Sequence, residues 1–221
     1  MSKEKDYIRA YEGAERRYFA GSEFRVEKRA DEEELNVVEG YAALFNKPTV
    51  IADWYREEIL PGAFDDVLDD DVRCLFNHDP NFILARSNKG KGTLELVLDS
   101  NGLLYRYTTP DRQFARDLQD AIEQGDVTQS SFAFRPKETK WTQVEGEMDL
   151  RQIVKLERLY DVSPVTYPAY TDTTVAKRSH DAFLTEMAKN IETRTDGGPG
   201  DEKTVSLREA QIIINENLQR R

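Results

Sequence analysis

The stretch Gln129-Ser-Ser-Phe-Ala-Phe-Arg-Pro136 has the composition of a β-strand, and the rest of the chain can be arranged around it. Its residues alternate, so that Phe132 and Phe134 share one face of the strand while Ser131 and Ala133 share the other. The small Ala133 beside Ser131 would let a peptide backbone approach the hydroxyl closely. Ser131 is therefore a candidate nucleophile, provided that a base lies within reach.

The chain holds two histidines, and His78 is the one whose setting suits a catalytic base. It ends the strand-like run Val72–His78, and if that strand persists, His78 lies on the same side as Cys74 and Phe76. His180 lies in the charged C-terminal part, where a solvated role is expected. The two settings together predict a serine hydrolase with Ser131 as nucleophile and His78 as base.

Composition limits the classes of protein to which the chain can belong. Its 221 residues, 38% of them hydrophobic, can form one core of ordinary size. The net charge of -11 argues against a nucleic-acid-binding protein, which normally presents a basic surface. No apolar run reaches the roughly 18 residues that span a bilayer, and the first residues lack the apolar stretch of a signal peptide. Because Cys74 is the single cysteine, no intrachain disulfide can form, and we expect a soluble, intracellular chain.

Short alternating runs separated by turn residues predict a barrel or sandwich of β-strands. The strongest hairpin signal is Asp99-Ser-Asn-Gly102, since Asn-Gly adopts positive φ at low cost. An extended segment, Asp161–Tyr170, is expected to end the core. The predicted strands are Phe24–Glu27, Leu35–Phe45, Trp54–Leu60, Val72–His78, Leu84–Ser87, Thr93–Leu98, Leu103–Thr108, Val127–Phe134 and Leu150–Tyr160.

One helix with clear start and stop signals is predicted over Pro110–Gln124, with Thr109 as N-cap and Gly125 as a left-handed C-terminal cap. Weaker patterns indicate a short or partial helix within residues 1–20 and another over Asp65–Asp71. The chain thus divides into a charged N-terminal segment (1–33), a barrel domain (34–176) and a charged, partly helical tail (177–221). The tail patterns are a short helix, a linker and a second amphipathic helix, carried by Phe183, Met187 and Ile191, by Thr195–Asp201 and by Ser206–Leu218.

Six blocks of this sequence, in order, resemble the prohead maturation proteases of tailed phages, a family related to herpesvirus assembly proteases. The resemblance covers roughly residues 35–172. The usual pattern around the family's nucleophile is Met-Ser-Phe-Gly-Phe, and here Ser130 and Ala133 replace its Met and Gly. The matching blocks are Glu39–Asn46, Glu58–Phe64, Asn77–Asp79, Gly102-Leu103, Ser131–Phe134 and Asp161–Ala169.

The resemblance implies a closed β-barrel of mostly antiparallel strands flanked by helices, similar to the herpesvirus assembly protease. It implies a serine endopeptidase that matures the capsid inside the procapsid, in the cytoplasm of the host, including a host that carries an integrated prophage. The implied substrates are the scaffolding protein or the scaffold segment of the capsid protein, and the protease itself. A homodimer is a further possibility that the relatives raise. No cofactor is implied, and neither zinc-ligand spacing nor a calcium-loop pattern occurs in the sequence.

A third group must orient the histidine and stabilise the imidazolium. The herpesvirus relatives use a second histidine for this, but His180 falls beyond the predicted core. We therefore expect an acid on the strand after Ser131. Asp161 is the first choice because it opens a matching block, and Glu157, four residues earlier on the same face, is the second.

Several alternatives to this assignment stay open at the level of sequence. Ser130 is the alternative nucleophile, although it would point with the phenylalanines, and Cys74 could serve a cysteine hydrolase. Asp79 could tune His78 electrostatically, and Arg135 could bind an oxyanion or pair with surface acids. A β-barrel scaffold or capsid-binding module that kept the fold without catalysis is the alternative from another functional class.

Overall fold

The computed structural model describes residues 13–20, 24–29, 35–52, 54–143, 146–167 and 174–195. The chain forms two compact units, Met1–Asp172 and Thr173–Arg221. The described elements of the first unit are twelve strands and one helix, α1 (Gln113–Gln124); the second contains α2 (Thr174–Thr195). The strands are β1 (Glu15–Ala20), β2 (Arg25–Arg29), β3 (Leu35–Leu44), β4 (Thr49–Ala52), β5 (Tyr55–Ile59), β6 (Val72–Phe76), β7 (Asp79–Asn88), β8 (Lys91–Gly92), β9 (Leu94–Leu98), β10 (Gly102–Thr108), β11 (Gln129–Thr142) and β12 (Asp149–Val165).

These strands form two sheets, so the predicted mainly β, α+β class is confirmed. The larger sheet has the order β1-β11-β12-β6-β7-β8, with β5 paired to β12 and β4 to β5; the smaller has the order β2-β3-β10-β9. The predicted closed barrel is wrong for the described strands. β12 uses one edge for β11 and divides the other between β5, at Asp149–Ile153, and β6, at Asp161-Val162. The large sheet therefore branches at β12 instead of continuing around to close.

Both sheets contribute to one hydrophobic core. Phe132 of the large sheet is fully buried there together with Val162, and the small sheet adds Val38 and Leu103. The Phe132 ring packs against that of Phe64 with 5.6 Å between centroids. The predicted apolar face of the Gln129–Pro136 strand is thus confirmed, and burial of these side chains is the main stabilising term for this part of the fold.

The hairpin at Asp99–Gly102 is confirmed, but its glycine is needed for a different reason from the predicted one. Asp99 Oδ1 accepts the backbone N–H groups of Asn101 and Gly102, at 2.7 and 2.9 Å. Neither Asn101 nor Gly102 has a positive φ. A Cβ on Gly102 would instead lie 1.9 Å from the carbonyl oxygen of Ala43 on the neighbouring strand β3, so the close approach of two backbones selects glycine here.

The main predicted helix is confirmed from Gln113 onward. Gly125 ends it with a φ of 82° and a backbone N–H that bonds to the last turn, as predicted. The predicted N-cap is wrong, because the chain first makes a tight turn at Pro110 and the cap position falls on Arg112, which provides no side-chain cap.

Two weaker helix predictions are wrong for the described residues, and residues 1–12, which the first of them includes, lie outside the described ranges. Residues Glu15–Ala20 form β1, because pairing with the edge of β11 satisfies their backbone and buries two of their charged side chains. Asp65–Asp71 lies in a series of turns whose backbone hydrogen bonds span three residues, consistent with the low helix propensity of aspartate. Val67 nevertheless packs inward, as predicted.

The described part of the tail is more regular than the sequence indicates. α2 runs over 22 residues and includes the predicted short helix. The expected division at 176/177 falls inside α2, whose first residue is Thr174. The linker after Thr195 and the helix Ser206–Leu218 lie outside the described residues.

Two arginines and two glutamates are buried together between β1, β5 and β12. Arg17 bonds Glu15 and bonds Glu57 Oε2 at 2.9 Å; Arg151 bonds Glu57 Oε2 and Glu15 Oε1, each at 2.9 Å. None of the four is more than 3% exposed, and their formal charges cancel. Because each carboxylate has a guanidinium partner, the cluster avoids the large cost of an isolated buried charge.

Glu15 shows how strongly these charges interact. Burial alone would raise the pKa of its carboxyl, but the hydrogen bond from Arg151 and the positive charges of Arg17 and Arg151 lower that pKa below its ordinary value. The folded chain therefore holds Glu15 ionised more readily than the unfolded chain does.

We expect Arg17→Met to lower the free energy of unfolding by about 3–5 kcal/mol, because it leaves two buried carboxylates facing one guanidinium. Denaturant titration of the two proteins measures the difference. The matched control is Arg116→Met, since Arg116 is half-exposed and pairs with the exposed Asp111; its effect should stay within about 0.5 kcal/mol. Equal effects of the two substitutions would contradict the importance assigned to the buried cluster.

The same cluster predicts acid sensitivity. Because the pKa of Glu15 is lower in the folded than in the unfolded chain, its contribution to stability is complete above the ordinary glutamate pKa of about 4.3 and is lost as the pH falls from there through the lower pKa of the folded chain. Denaturant titrations at neutral and stepwise lower pH should show this loss. It should be smaller in Glu15→Gln than in the wild type, and an unchanged acid dependence in that variant would contradict the prediction.

Candidate active site

His78 lies in a tight turn and not on the strand that the sequence predicted. β6 ends at Phe76, which pairs with Asp79, so that Asn77 and His78 form the two-residue loop between β6 and β7. Both have positive φ, 56° and 58°. Such a pair of left-handed residues is typical of hairpin turns, where asparagine is common and histidine is less so. A histidine held in this conformation indicates a functional position.

Asn77 attaches this turn to the end of β12. Its backbone N–H donates to the carbonyl of Pro164 at 3.0 Å. Its side-chain oxygen accepts from the backbone N–H of Thr166 at 2.9 Å and from the hydroxyl of Thr166 at 3.2 Å. Asn77 therefore positions His78 beside β12, the strand that pairs with β11 and its Ser131.

The register of β11 against β12 decides which side chains meet His78. Ser131 is paired with Ser163, and Ala133 with Asp161, in the antiparallel ladder. Directly paired residues project from the same face of a sheet, so these four side chains share a face. Phe132 and Val162 form the next pair and project from the opposite face, into the core.

The structure brings together the three residues that the sequence placed first. His78 Nε2 lies 2.7 Å from Ser131 Oγ, and His78 Nδ1 lies 2.6 Å from Asp161 Oδ1. Ser131 and Asp161 are fully buried, and His78 is 6% exposed. An ionised carboxylate can only accept, so Nδ1 carries the proton and Nε2 is left to accept the Ser131 O–H.

This arrangement can activate a hydroxyl. The imidazole can take the Ser131 proton, and the carboxylate can stabilise the imidazolium that results.

Among the described residues, no group of three or more His, Cys, Asp or Glu side chains is arranged to hold a metal ion. No helix in the described ranges is long and apolar enough to cross a bilayer.

The second choice for the acid does not reach the histidine. Glu157 is exposed, and its carboxylate lies 3.8 Å from Arg135. Arg135 also lies over the ring of Tyr160, with its guanidinium carbon 5.9 Å from the centroid. Pairing with a surface acid is thus what the structure shows for Arg135. Asp79 accepts two hydrogen bonds from Asn81 within its own turn.

The two alternative nucleophiles lie on the core side of the sheet. The Ser130 hydroxyl is 2.9 Å from that of Tyr105 and donates to the carbonyl of Ser163 at 3.3 Å. Cys74 is fully buried in the core, and burial, followed by the charge of Asp161, raises the pKa of its thiol well above the ordinary value. The predicted shared face of Cys74 and His78 is wrong, since the strand ends before His78.

His180, the other histidine, lies on α2 in the second compact unit; it is buried, so the solvated role expected for it is wrong. Ser163 is a polar residue of the site to which the sequence analysis assigned no role. Its hydroxyl donates to Asp161 Oδ1 at 2.8 Å. Its position two residues after Asp161 on a strand, and therefore on the same face, was the signal that could have identified it.

The chain is similar to proteins that are already known. A solved structure, that of the bacteriophage T4 capsid assembly protease, matches with a TM-score of 0.42 and 12% sequence identity, covering 69% of this chain and 99% of that one. No curated protein matches the chain. The family model described as caudovirus prohead serine protease matches residues 23–186, well over half of the chain, and this range includes His78, Ser131 and Asp161. The resemblance seen in the sequence is thus confirmed: the chain belongs to the caudovirus prohead serine protease family.

Proposed function

We propose that this chain is a capsid-maturation serine endopeptidase in which Ser131 is the nucleophile, His78 the general base and Asp161 the third member of the site. The observation that supports this most directly is the position of the His78 ring, 2.7 Å from the Ser131 hydroxyl and 2.6 Å from the Asp161 carboxylate. The whole site lies within the residues that match the family model.

In the proposed reaction, His78 Nε2 takes the proton of Ser131 as Oγ attacks the carbonyl carbon of the scissile peptide bond. The tetrahedral intermediate collapses when the peptide C–N bond breaks and the imidazolium returns the proton to the leaving amine. A water molecule, deprotonated by the same nitrogen, then hydrolyses the acyl-enzyme and frees Ser131. Asp161 keeps its charge throughout and holds the ring with Nδ1–H toward itself.

The proposed substrates are the scaffolding protein or the scaffold segment of the capsid protein, met inside the procapsid within the host cell. The chain itself is a further proposed substrate, and cleavage would separate residues near the C-terminus from the folded domain. The prohead named in the family description supports this choice of substrate and place.

A non-catalytic role in capsid assembly is the second candidate, and one observation favours it. Ser131 is fully buried, whereas a nucleophile has to reach a substrate carbonyl. The protease proposal therefore requires the site to open when the substrate binds. The second candidate requires no opening, and it leaves unexplained why a histidine occupies a left-handed turn at hydrogen-bonding distance from a serine.

Ser131→Ala should reduce proteolysis by about 10⁴-fold or more, because the acyl-enzyme can no longer form. The measurement follows the mass of the purified full chain over time and the cleavage of capsid and scaffold proteins added to it. Ser130→Ala is the matched control: it makes the same change one residue earlier, on the core side, and should retain most of the activity.

Cleavage patterns that are the same in wild type and Ser131→Ala would favour the non-catalytic module. Loss of activity in Ser130→Ala alone would move the nucleophile to the neighbouring hydroxyl. Mapping the new termini in the wild type identifies the cleaved bond in the same experiment.

Cys74→Ala should leave proteolysis within about twofold of the wild type, because a core thiol with a raised pKa is protonated at neutral pH and remote from solvent. The folded chain should also resist alkylation by iodoacetamide, and the unfolded chain should react. Loss of activity in Cys74→Ala, in a protein whose unfolding transition is normal, would instead support a cysteine hydrolase.

A further inference from the structure

We propose that Ser163 is a positioning residue of this active site, whose hydroxyl fixes the Asp161 carboxylate and through it the His78 ring. The inference rests on the proposed protease function and adds a fourth residue to its machinery. Ser163 acts through Asp161; it does not contact the peptide that is cleaved.

The hydrogen bonds of the Asp161 carboxyl group are unevenly distributed. Oδ1 accepts two of them, from Ser163 Oγ at 2.8 Å and from His78 Nδ1 at 2.6 Å. Oδ2 is buried and has no hydrogen-bond partner among the residues that the structure describes. Rotation of the carboxyl group would therefore break both bonds at once, and Ser163 is the donor besides the histidine that opposes this rotation.

Within the described part of the sheet, no other neighbour takes over this function. Ala133, which is paired with Asp161 on β11, has no polar side chain, and beyond it on β1 comes the exposed Arg16. Arg73, which is paired with Asp161 on β6, turns its guanidinium to the carboxylate of Asp71 at 3.1 Å.

Cys74 is the remaining titratable neighbour of this carboxyl on β6, since the charge of Asp161 contributes to the raised pKa of its thiol. That thiol stays protonated at neutral pH and so adds no charge beside the carboxylate. His78 and Ser163 are thus the two groups that set the direction of the Asp161 carboxylate.

The backbone of Ser163 is itself fixed. It lies opposite Ser131 in the ladder between β11 and β12, and its carbonyl accepts a hydrogen bond from Ser130 at 3.3 Å. Ser130 is linked in turn to the hydroxyl of Tyr105 in the core. A donor on a rigid strand places its hydrogen bond accurately, which is what a group supporting a catalytic carboxylate requires.

The chemical consequence concerns the charged state of the histidine. When His78 takes the Ser131 proton, the new positive charge is stabilised most if the carboxylate oxygen stays in line with Nδ1–H. Without the Ser163 bond, the carboxylate can rotate away and the base is held less well.

The closing experiment compares Ser163→Thr with Ser163→Val in the full chain. Threonine and valine have nearly the same shape, and they differ in the hydroxyl that the proposal requires. The probe is a fluorophosphonate, which phosphonylates an activated serine oxygen with loss of fluoride and does not depend on peptide specificity. The second-order rate of labelling is measured over a range of pH, and the unfolding transition of each variant is recorded.

We expect Ser163→Val to label about 10–100-fold more slowly than Ser163→Thr. This is the size of effect seen when the hydrogen-bond partner of a metal-ligating side chain is removed. The acidic limb of its pH–rate profile should move to lower pH, because a carboxylate that has rotated away stabilises the imidazolium less. Ser87→Ala, a control at the buried serine of β7, should label at a rate close to that of the wild type with an unshifted profile.

Equal rates and equal profiles for the threonine and valine variants would falsify the role of Ser163 while leaving the protease proposal intact. A wild type that is not labelled, or a Ser131→Ala variant that is labelled equally well, overturns the protease proposal and the role of Ser163 with it. Threonine and valine fill the buried position alike, so a packing defect would lower both labelling rates equally. Equal rates would again contradict the role of Ser163.

Discussion

The register between β11 and β12 is the constraint on which the rest of the structure depends. Because side chains alternate along a strand, a slip by one residue would turn Ser131 into the core and bring phenylalanine to the other face. In the observed register Ser131 lies opposite Ser163, and Ala133 opposite Asp161. The same β12 residues carry β6 on their other edge, at Asp161-Val162, which brings the turn that follows β6 to this face. The β11–β12 ladder thus determines which side chains contact His78 and on which face of the sheet they do so.

The alternation that sets this register is also why the sequence predicted so much of the site. Period-two spacing assigned Ser131 and the phenylalanines to opposite faces, and the core burial of Phe132 agrees with it. Asp161 was named from the resemblance and not from any geometry that the sequence contains. The position of His78 followed from hydrogen bonds between distant segments, Asn77 with Pro164 and Thr166, and no local pattern encodes such contacts. The wrong strand assignment at Asn77-His78 has this origin.

The errors in the fold prediction have the same cause as the wrong assignment at Asn77-His78, namely contacts between segments that are distant in sequence. Helical spacing of apolar residues favoured a helix that included Tyr18, but Glu15 and Arg17 find their partners on β5 and β12, some forty and more than a hundred residues away in sequence. Tertiary pairing of this kind overrides local preference. The closed barrel failed for a similar reason, because the parallel pairing of both β5 and β6 with one edge of β12 leaves no single strand to close the sheet. Parallel strands are not joined by a tight turn, so their pairing leaves no turn signal in the sequence.

For the proposed reaction, burial of Ser131, His78 and Asp161 has two opposed consequences. Exclusion of water strengthens the attraction between an imidazolium and the Asp161 carboxylate, which favours proton removal from Ser131. The same exclusion keeps a peptide carbonyl away from Ser131 Oγ, so the chain must open locally before it can act. Ser131 and Asp161 lie on the two strands of the ladder between β11 and β12, whereas His78 lies in a two-residue turn held to the end of β12 by three hydrogen bonds through Asn77. The hydrogen bonds of a short turn are fewer than those of a ladder, so opening at the His78 side costs less than separating β11 from β12. Opening there would move the base while the nucleophile and its supporting strand stay in place.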